Sequence, residues 1–454
     1  MSLFRFAYSN LRHKPADAMF FAFSIFAASL VITLFFAIIA NPYYGMESNG
    51  EGILFGGNEM IASFDQGIGT GLFTMMLSLF MIFVCILMVF LSNKFFLMSK
   101  TKDIGIMMIS GSSIFKIIKF LVVQNFLIIL AAAPLGTMAG CILFPIVNAV
   151  IYSIMTIQAP VFVFSGSAMG YCLATLIITA VFLVLSDAGF VYRMDTLSEL
   201  IQTRKSMDPV GKQKNIFLKA VYVAVYLLSI YLPFSITHRS MNAVFLIYQS
   251  LAIVLGAGNV FRYVLPDLIS KLKEHLFSAD RHLMISCGNL RYSVINGNLL
   301  VTVILLSTSS LFLYLCKFYE DKATMMVVMI AFIVTMIMIC ICMIYKLAAD
   351  GLSKRQVFLN MIAIGYLKQD IRKIMKQEII GFFGSVILLS MPLLVVVTML
   401  FANAKDIPWS FALGLQAAFI GFLIAAAVLM YAIYCKIIFQ NYQDETLCGG
   451  SEDE

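Results

Sequence analysis

Two stretches set the reading of this chain: Ser99-Lys100-Thr101-Lys102-Asp103-Ile104-Gly105-Ile106-Met107-Met108-Ile109-Ser110-Gly111 and Ser353-Lys354-Arg355-Gln356-Val357-Phe358-Leu359-Asn360-Met361-Ile362-Ala363-Ile364-Gly365. Each puts a basic cluster before an amphipathic turn of helix, then a glycine, then a new apolar run. Lys100 and Lys354 are 254 positions apart, as are Gly111 and Gly365, and Gln124 and Glu378. A charged loop repeated between membrane spans is a place where a membrane domain can be gripped from the water side.

Composition says why those loops stand out. Apolar residues make up 61% of the 454 and charged residues 12%, with a mean hydropathy of +0.95. Water-soluble domains carry about 25% charged residues. The chain therefore reads as a polytopic membrane protein with no sizeable soluble domain. Its formal charge of +7 is a matter of membrane sidedness and gives no signal for nucleic acid.

A span needs about 20 apolar residues. Ten such runs are visible, at 18–40, 68–97, 116–146, 162–190, 217–236, 242–265, 298–316, 323–347, 376–401 and 409–438. With ten spans, 27 of the 31 Lys and Arg fall on one side, leaving Arg239, Lys317, Lys322 and Lys405 on the other. The positive-inside rule makes the first side the cytosol, with both termini there, in a plasma membrane. No cleavable leader is expected, because the first apolar run starts after Asp17, is long, and lacks a small-residue cleavage site.

Further landmarks extend the repeat. Asn10-Leu11-Arg12 precedes span one and Asn289-Leu290-Arg291 precedes span seven, at an offset of 279. The excess lies in a long outer loop, Asn41 to Gly67, whose counterpart is the short Lys317–Lys322 link. Met194-Asp195-Thr196-Leu197 and Asp444-Glu445-Thr446-Leu447 follow the fourth span of each half. The expected organisation is an all-α membrane fold of two parallel four-span repeats, 1–200 and 281–454, joined by two spans in 201–280. Even span numbers make the repeats parallel, unlike the inverted repeats of many secondary carriers.

The chemistry of sites is sparse. No Gly-x-x-x-x-Gly-Lys-[Ser/Thr] loop occurs, so the chain is not expected to hold ATP itself. The four histidines are scattered, which suggests neither a metal site nor a catalytic triad, and the nine cysteines read as small apolar residues. Polar residues in or near spans are Gln124, Asn125, Asn148, Asp187, Gln249, Asn259, Arg262, Glu378 and Gln416; most are expected to hydrogen-bond between helices or snorkel. The outer loop carries Glu47, Glu51, Glu59 and Asp65 without a basic residue, a mildly anionic patch able to attract a cationic peptide.

The run Lys100-x-Lys102-Asp103-Ile104-Gly105-Ile106-Met107-Met108-x-x-Gly111 resembles the segment after the second span of FtsX-like (MacB-type) ABC permeases. Asp195-Thr196-Leu197-Ser198-Glu199-Leu200 resembles that family's ending after the fourth span. Ten spans in this order are similar to the bacitracin-efflux (BceB-like) branch. The resemblance implies that Lys100, Lys102, Asp103, Ile104, Gly105, Met107 and Gly111 couple to a cytosolic P-loop ATPase. By the repeat, Lys354, Arg355, Val357, Phe358, Met361 and Gly365 would couple to a second copy. It implies a permease subunit with no enzymatic chemistry of its own, ATP and Mg being bound in the partner. It further implies contact with membrane lipid and handling of an amphipathic substrate, an antimicrobial peptide or a lipid, at the outer leaflet. The alternative is a mechanotransmitting protein acting on a cell-wall hydrolase or sensor kinase, with a second membrane subunit supplying any outer domain. Two departures are plain: the large outer domain between spans seven and eight of the BceB-like branch is reduced to Phe318–Lys322, and Val357, Phe358 and Leu359 replace the Asp-Ile-Gly core in the second segment.

Overall fold

The computed structural model describes residues 9, 15–39, 41, 70–155, 160–163, 166–193, 216–235, 243–275, 280–320 and 322–439. The outer-loop acids Glu47, Glu51, Glu59 and Asp65 and the motifs at 195–200 and 444–447 lie outside the described residues. The described elements are helices: α1 (Pro15–Ile39), α2 (Thr70–Ser99), α3 (Thr101–Ile109), α4 (Ile114–Met155), α5 (Gly166–Arg193), α6 (Ile216–Ser235), α7 (Ala243–Leu255), α8 (Ala257–Asn259), a π turn (Val260–Val264), α9 (Leu265–His275), α10 (Arg281–Lys317), α11 (Lys322–Ala363), α12 (Lys368–Asn403) and α13 (Trp409–Phe439). Among the described residues ten helical stretches are long and apolar enough to cross a membrane, matching the ten runs read from sequence. Helices are the natural outcome, since a bilayer core offers the backbone no other hydrogen-bond partner.

Helix lengths depart from the sequence reading. The α4 and α11 helices have 42 residues each, about 63 Å at 1.5 Å per residue, roughly twice the hydrocarbon thickness. Residues 281–298, which precede the seventh apolar run, are continuous with it in the 37-residue α10.

The chain divides into two compact units: residues 1–201, 241–246 and 311–339 form the first, and 202–240, 247–310 and 340–454 the second. In the first unit α1 is packed against α2, α4 and α5. The α1–α4 contact depends on Gly136 and Gly140, four apart on one face of α4. A Cβ at Gly136 would stand 1.9 Å from Ser29 Oγ and 2.4 Å from the Phe26 carbonyl oxygen, and one at Gly140 2.9 Å from Thr33 Cβ. Small residues at this spacing let two membrane helices approach until their backbones pack directly. At the far end of α1, Leu34, Ala37, Ile38, Phe144, Ile151 and Tyr152 form a buried cluster. Asn41 closes that end: its Nδ2 donates to Asn148 Oδ1 (3.0 Å) and to the Tyr152 hydroxyl (3.0 Å), while Asn148 Nδ2 donates to the Val161 carbonyl (2.9 Å).

In the second unit α12 packs against α13 and α6. The Tyr226 hydroxyl on α6 donates to the Leu389 carbonyl of α12 at 2.9 Å, one route by which a membrane protein satisfies a buried hydroxyl. Of the eight described cysteines, Cys85, Cys172, Cys316 and Cys342 are buried and Cys141, Cys287, Cys340 and Cys435 half-buried; all are free thiols.

Candidate functional site

The first of the two quoted stretches becomes a short separate helix. The α2 helix ends at Ser99, where the Lys100 N–H is shared between the Phe96 and Leu97 carbonyls (3.3 and 3.1 Å). The α3 helix then runs for nine residues, with Asp103 in its first turn, where a carboxylate favours the positive end of the helix dipole. Ile104 is fully buried among Leu97, Ile117, Phe120, Leu121 and Val191, with Met107 and Met108 half-buried beside it. Gly105 is buried as well. The opposite face is open: Ile106 is 66% and Ile109 73% exposed, and Phe115 at the start of α4 is 83% exposed. Lys100 is 1% exposed, with its Nζ 3.9 Å from Asp103 Oδ2 and 5.7 Å from the centre of the Phe96 ring.

The second stretch is built otherwise. It is the last turns of the continuous α11, with no break between span and segment. Lys354 is buried and donates to Glu378 Oε1 at 2.6 Å; Glu378, on α12, is fully buried. Phe358 is 1% exposed and meets Tyr434 edge-on at 6.4 Å, and Tyr434 packs against Gly351, where a Cβ would come within 2.4 Å of its ring. Met361 is half-buried, while Val357 is 46%, Ile364 79% and Leu367 66% exposed. Lys102 and Arg355 lie on α3 and α11.

Both segments end alike. Gly111 (φ +79°) and Gly365 (φ +107°) have the positive φ that side-chain-bearing residues avoid. The Gly111 N–H reaches Met108 O (3.0 Å) and the Ser112 N–H reaches Met107 O (3.1 Å); the Gly365 N–H reaches Ile362 O (3.0 Å) and the Tyr366 N–H reaches Met361 O (3.1 Å). Each is a Schellman cap, closing the last carbonyls of one helix before the next begins. The caps coincide under the 254-residue offset, carbonyl for carbonyl.

Two buried polar networks support these segments. In the first unit Asp187 of α5 accepts from Asn93 Nδ2 of α2 (2.8 Å) and Asn125 Nδ2 of α4 (2.6 Å), and Asn125 also donates to Asn93 Oδ1 (3.0 Å). In the second, Ser293 of α10 is a hub. Its hydroxyl donates to Glu378 (2.9 Å) and accepts from Lys354 (3.3 Å), and its carbonyl accepts from Lys346 (2.8 Å). Lys346 is in turn 3.0 Å from Asp350, one helical turn further along α11. Asp187, Asn125 and Glu378 were read from sequence as span polars. Asn93, Ser293, Lys346, Asp350 and the burial of both lysines were not. The Lys346–Asp350 spacing of four was the available signal.

The fold and these networks define an all-α, multi-pass membrane protein whose two halves present matching capped segments. Residues 75–194, about a quarter of the chain, match the family described as FtsX-like permease C-terminal. That span takes in α3, the Asn93–Asp187–Asn125 network and three membrane helices, and it supports an ABC-permease type of membrane protein. No curated protein matches the chain.

Proposed function

We propose that this chain is the permease subunit of an ABC transport system, gripped at α3 and at the end of α11 by two copies of a separate cytosolic P-loop ATPase. The observation that carries the reading is the divided surface of α3. Ile104 is anchored in the core, while Ile106 and Ile109 are exposed on a helix that the family match covers. Apolar residues at helical spacing on a water-side segment suit a groove on a partner. The distribution of 27 basic residues against four supports a cytosolic location for this face and for both termini.

In this reading ATP and Mg bind in the partner, and the permease does mechanical work. Closure of the ATPases moves α3 and α11, and the long helices transmit the motion across the plasma membrane. The two grips are unequal. The α3 helix is separated from α2 at Lys100, whereas the second segment is one rigid piece with its span and is pinned by Lys354–Glu378. The task that fits is moving or releasing an amphipathic molecule, a cationic peptide or a lipid, at the outer leaflet. A regulatory role on a cell-wall hydrolase or sensor kinase is the second reading. The link between α10 and α11 is only four residues long, so in that reading another subunit would supply any large outer domain.

The test is co-purification of the tagged chain from native membranes with an ATPase assay of the complex. An Asp103→Arg, Gly111→Trp double variant should release the ATPase or stop its hydrolysis. Membranes that yield no ATPase with the unaltered chain would overturn the reading.

A further inference from the structure

We infer that the face formed by α6 and the π turn carries a binding site for the phosphate headgroup of an anionic glycerophospholipid, centred on Arg262. The helices here run antiparallel. Lys219 of α6 pairs with Asp267 of α9, Tyr222 stacks on Tyr263 at 5.8 Å, and Gly256 meets the backbone of Tyr226. Tyr222 lies three residues beyond Lys219, so the tyrosine pair and Arg262 sit about 4.5 Å further along the helix than the Lys219–Asp267 pair. Arg262 falls within the span-length stretch Tyr248–Glu274, whose last turns form the amphipathic α9, with Leu265 and Ile269 buried and Lys271 and Glu274 exposed. That is the depth of the headgroup layer, where tyrosines and arginines anchor.

Arg262 is exposed and lies over the Tyr263 ring at 5.1 Å. Among the described residues it has no carboxylate partner, whereas Lys219, Lys346 and Lys354 each have one. A guanidinium at the edge of a bilayer is stabilised by an anion that matches its planar fork, and a phosphodiester does so bidentately. The backbone supports the same conclusion. Five residues, Val260–Val264, form a π turn around Arg262, an arrangement poorer in energy than α-helix and recurrent at functional sites. The turn leaves Phe261 buried and Arg262 on the open side. Inner-surface basic pockets between membrane helices take anionic headgroups for these reasons. The site needs only the membrane placement of α6 to α9 and is independent of any ATPase.

The test uses the full-length chain purified in detergent, titrated with phosphatidylglycerol or phosphatidylcholine and read by native mass spectrometry. Phosphatidylglycerol should bind the unaltered protein more tightly than phosphatidylcholine, whose choline offsets the phosphate charge. Arg262→Gln should weaken the binding about tenfold, Arg262→Lys should weaken it less, and Lys271→Gln, about two turns further along, should leave it unchanged. Glycerol phosphate should not displace the lipid. Equal binding by Arg262→Gln, equal loss in Lys271→Gln, equal affinity for phosphatidylcholine, or displacement by glycerol phosphate would each overturn the assignment. Should Arg262→Gln melt below the parent, Arg262→Lys decides: a loss in a variant that melts with the parent supports the site, and full binding refutes it.

Discussion

The Thr335 hydroxyl donates to Met81 Sδ at 3.3 Å, and the two residues are 254 positions apart. This is the offset that relates Lys100 to Lys354 and Gly111 to Gly365. Both residues are buried at 1% exposure. Equivalent positions of two copies meet only where a two-fold axis passes between them, as at an isologous interface. The contact puts α2 and α11, the second helices of the two repeats expected from sequence, against each other at this level. With the native cysteines removed, Met81→Cys with Thr335→Cys should be joined by a short thiol cross-linker, detected by peptide mass spectrometry. Phe83→Cys with Thr335→Cys should not, since Phe83 is 50% exposed. Efficient linking of the second pair alone would remove the axis.

The Lys354–Glu378 pair should be costly to break and cheap to replace. Removing one partner strands a buried charge, which costs about 3–5 kcal/mol, whereas replacing both by apolar groups of similar size is often neutral. Glu378→Met and Lys354→Met should each lower the thermal midpoint in detergent markedly, and the double variant should recover most of the loss. Because Ser293 bonds both partners, the two effects should be strongly non-additive. Additive losses would show that the residues act separately.

At the caps, the conformation itself is open to test, because a Cβ on Gly111 or Gly365 meets nothing within 4 Å. Any loss of stability then comes from φ alone. At Gly111, φ +79° lies near the left-handed region that asparagine tolerates, so Gly111→Asn should be milder than Gly111→Ala, which costs about 1–2 kcal/mol. At Gly365, φ +107° is outside that region, and both changes should destabilise alike. Thermal unfolding of the four variants gives the comparison, and indifference of Gly111 to alanine would mean the cap relaxes.

Much of the fold was legible because a bilayer leaves few choices: ten apolar runs became ten membrane-crossing helices. Lys100 and Lys354, related by the 254-position offset, are both buried where their segments leave the spans. Other features stayed hidden for physical reasons. Whether a helix breaks at Ser99 or runs on through Ser353 depends on side-chain packing, such as Tyr434 on Gly351, that no local pattern records. Ser293 is an ordinary helix serine in sequence, and only the approach of α11 and α12 makes it a hub. Asn93, inside an apolar run, gains meaning from Asp187, 94 positions away.

That Asn93–Asp187–Asn125 network should behave as one unit. Asp187 accepts one bond on each carboxylate oxygen, so Asp187→Ala leaves two buried amides short of an acceptor. The cost should be about 1–3 kcal/mol for each group left unsatisfied. Asp187→Asn keeps one acceptor and should lose less. Equal melting of the two variants would show that the amides find other partners.

The exposed faces of the two segments differ, and this sets the last expectation. Ile106 and Ile109 on α3 correspond by the offset to Asn360 and Ala363 on α11. Two large apolar side chains at 66% and 73% exposure face those positions of a polar amide and a methyl. Under the proposed function, filling a partner's groove with an isoleucine side chain is worth about 1.5–3 kcal/mol, so α3 should carry most of the ATPase affinity. Ile106→Asp with Ile109→Asp should abolish co-purification of the ATPase, while Asn360→Asp with Ala363→Asp should weaken it by no more than about tenfold. The substituted positions are exposed, so both variants should insert and melt like the parent. Equal losses from the two pairs would show that the halves grip their ATPases with equal strength and that the break at Lys100 has no part in the difference.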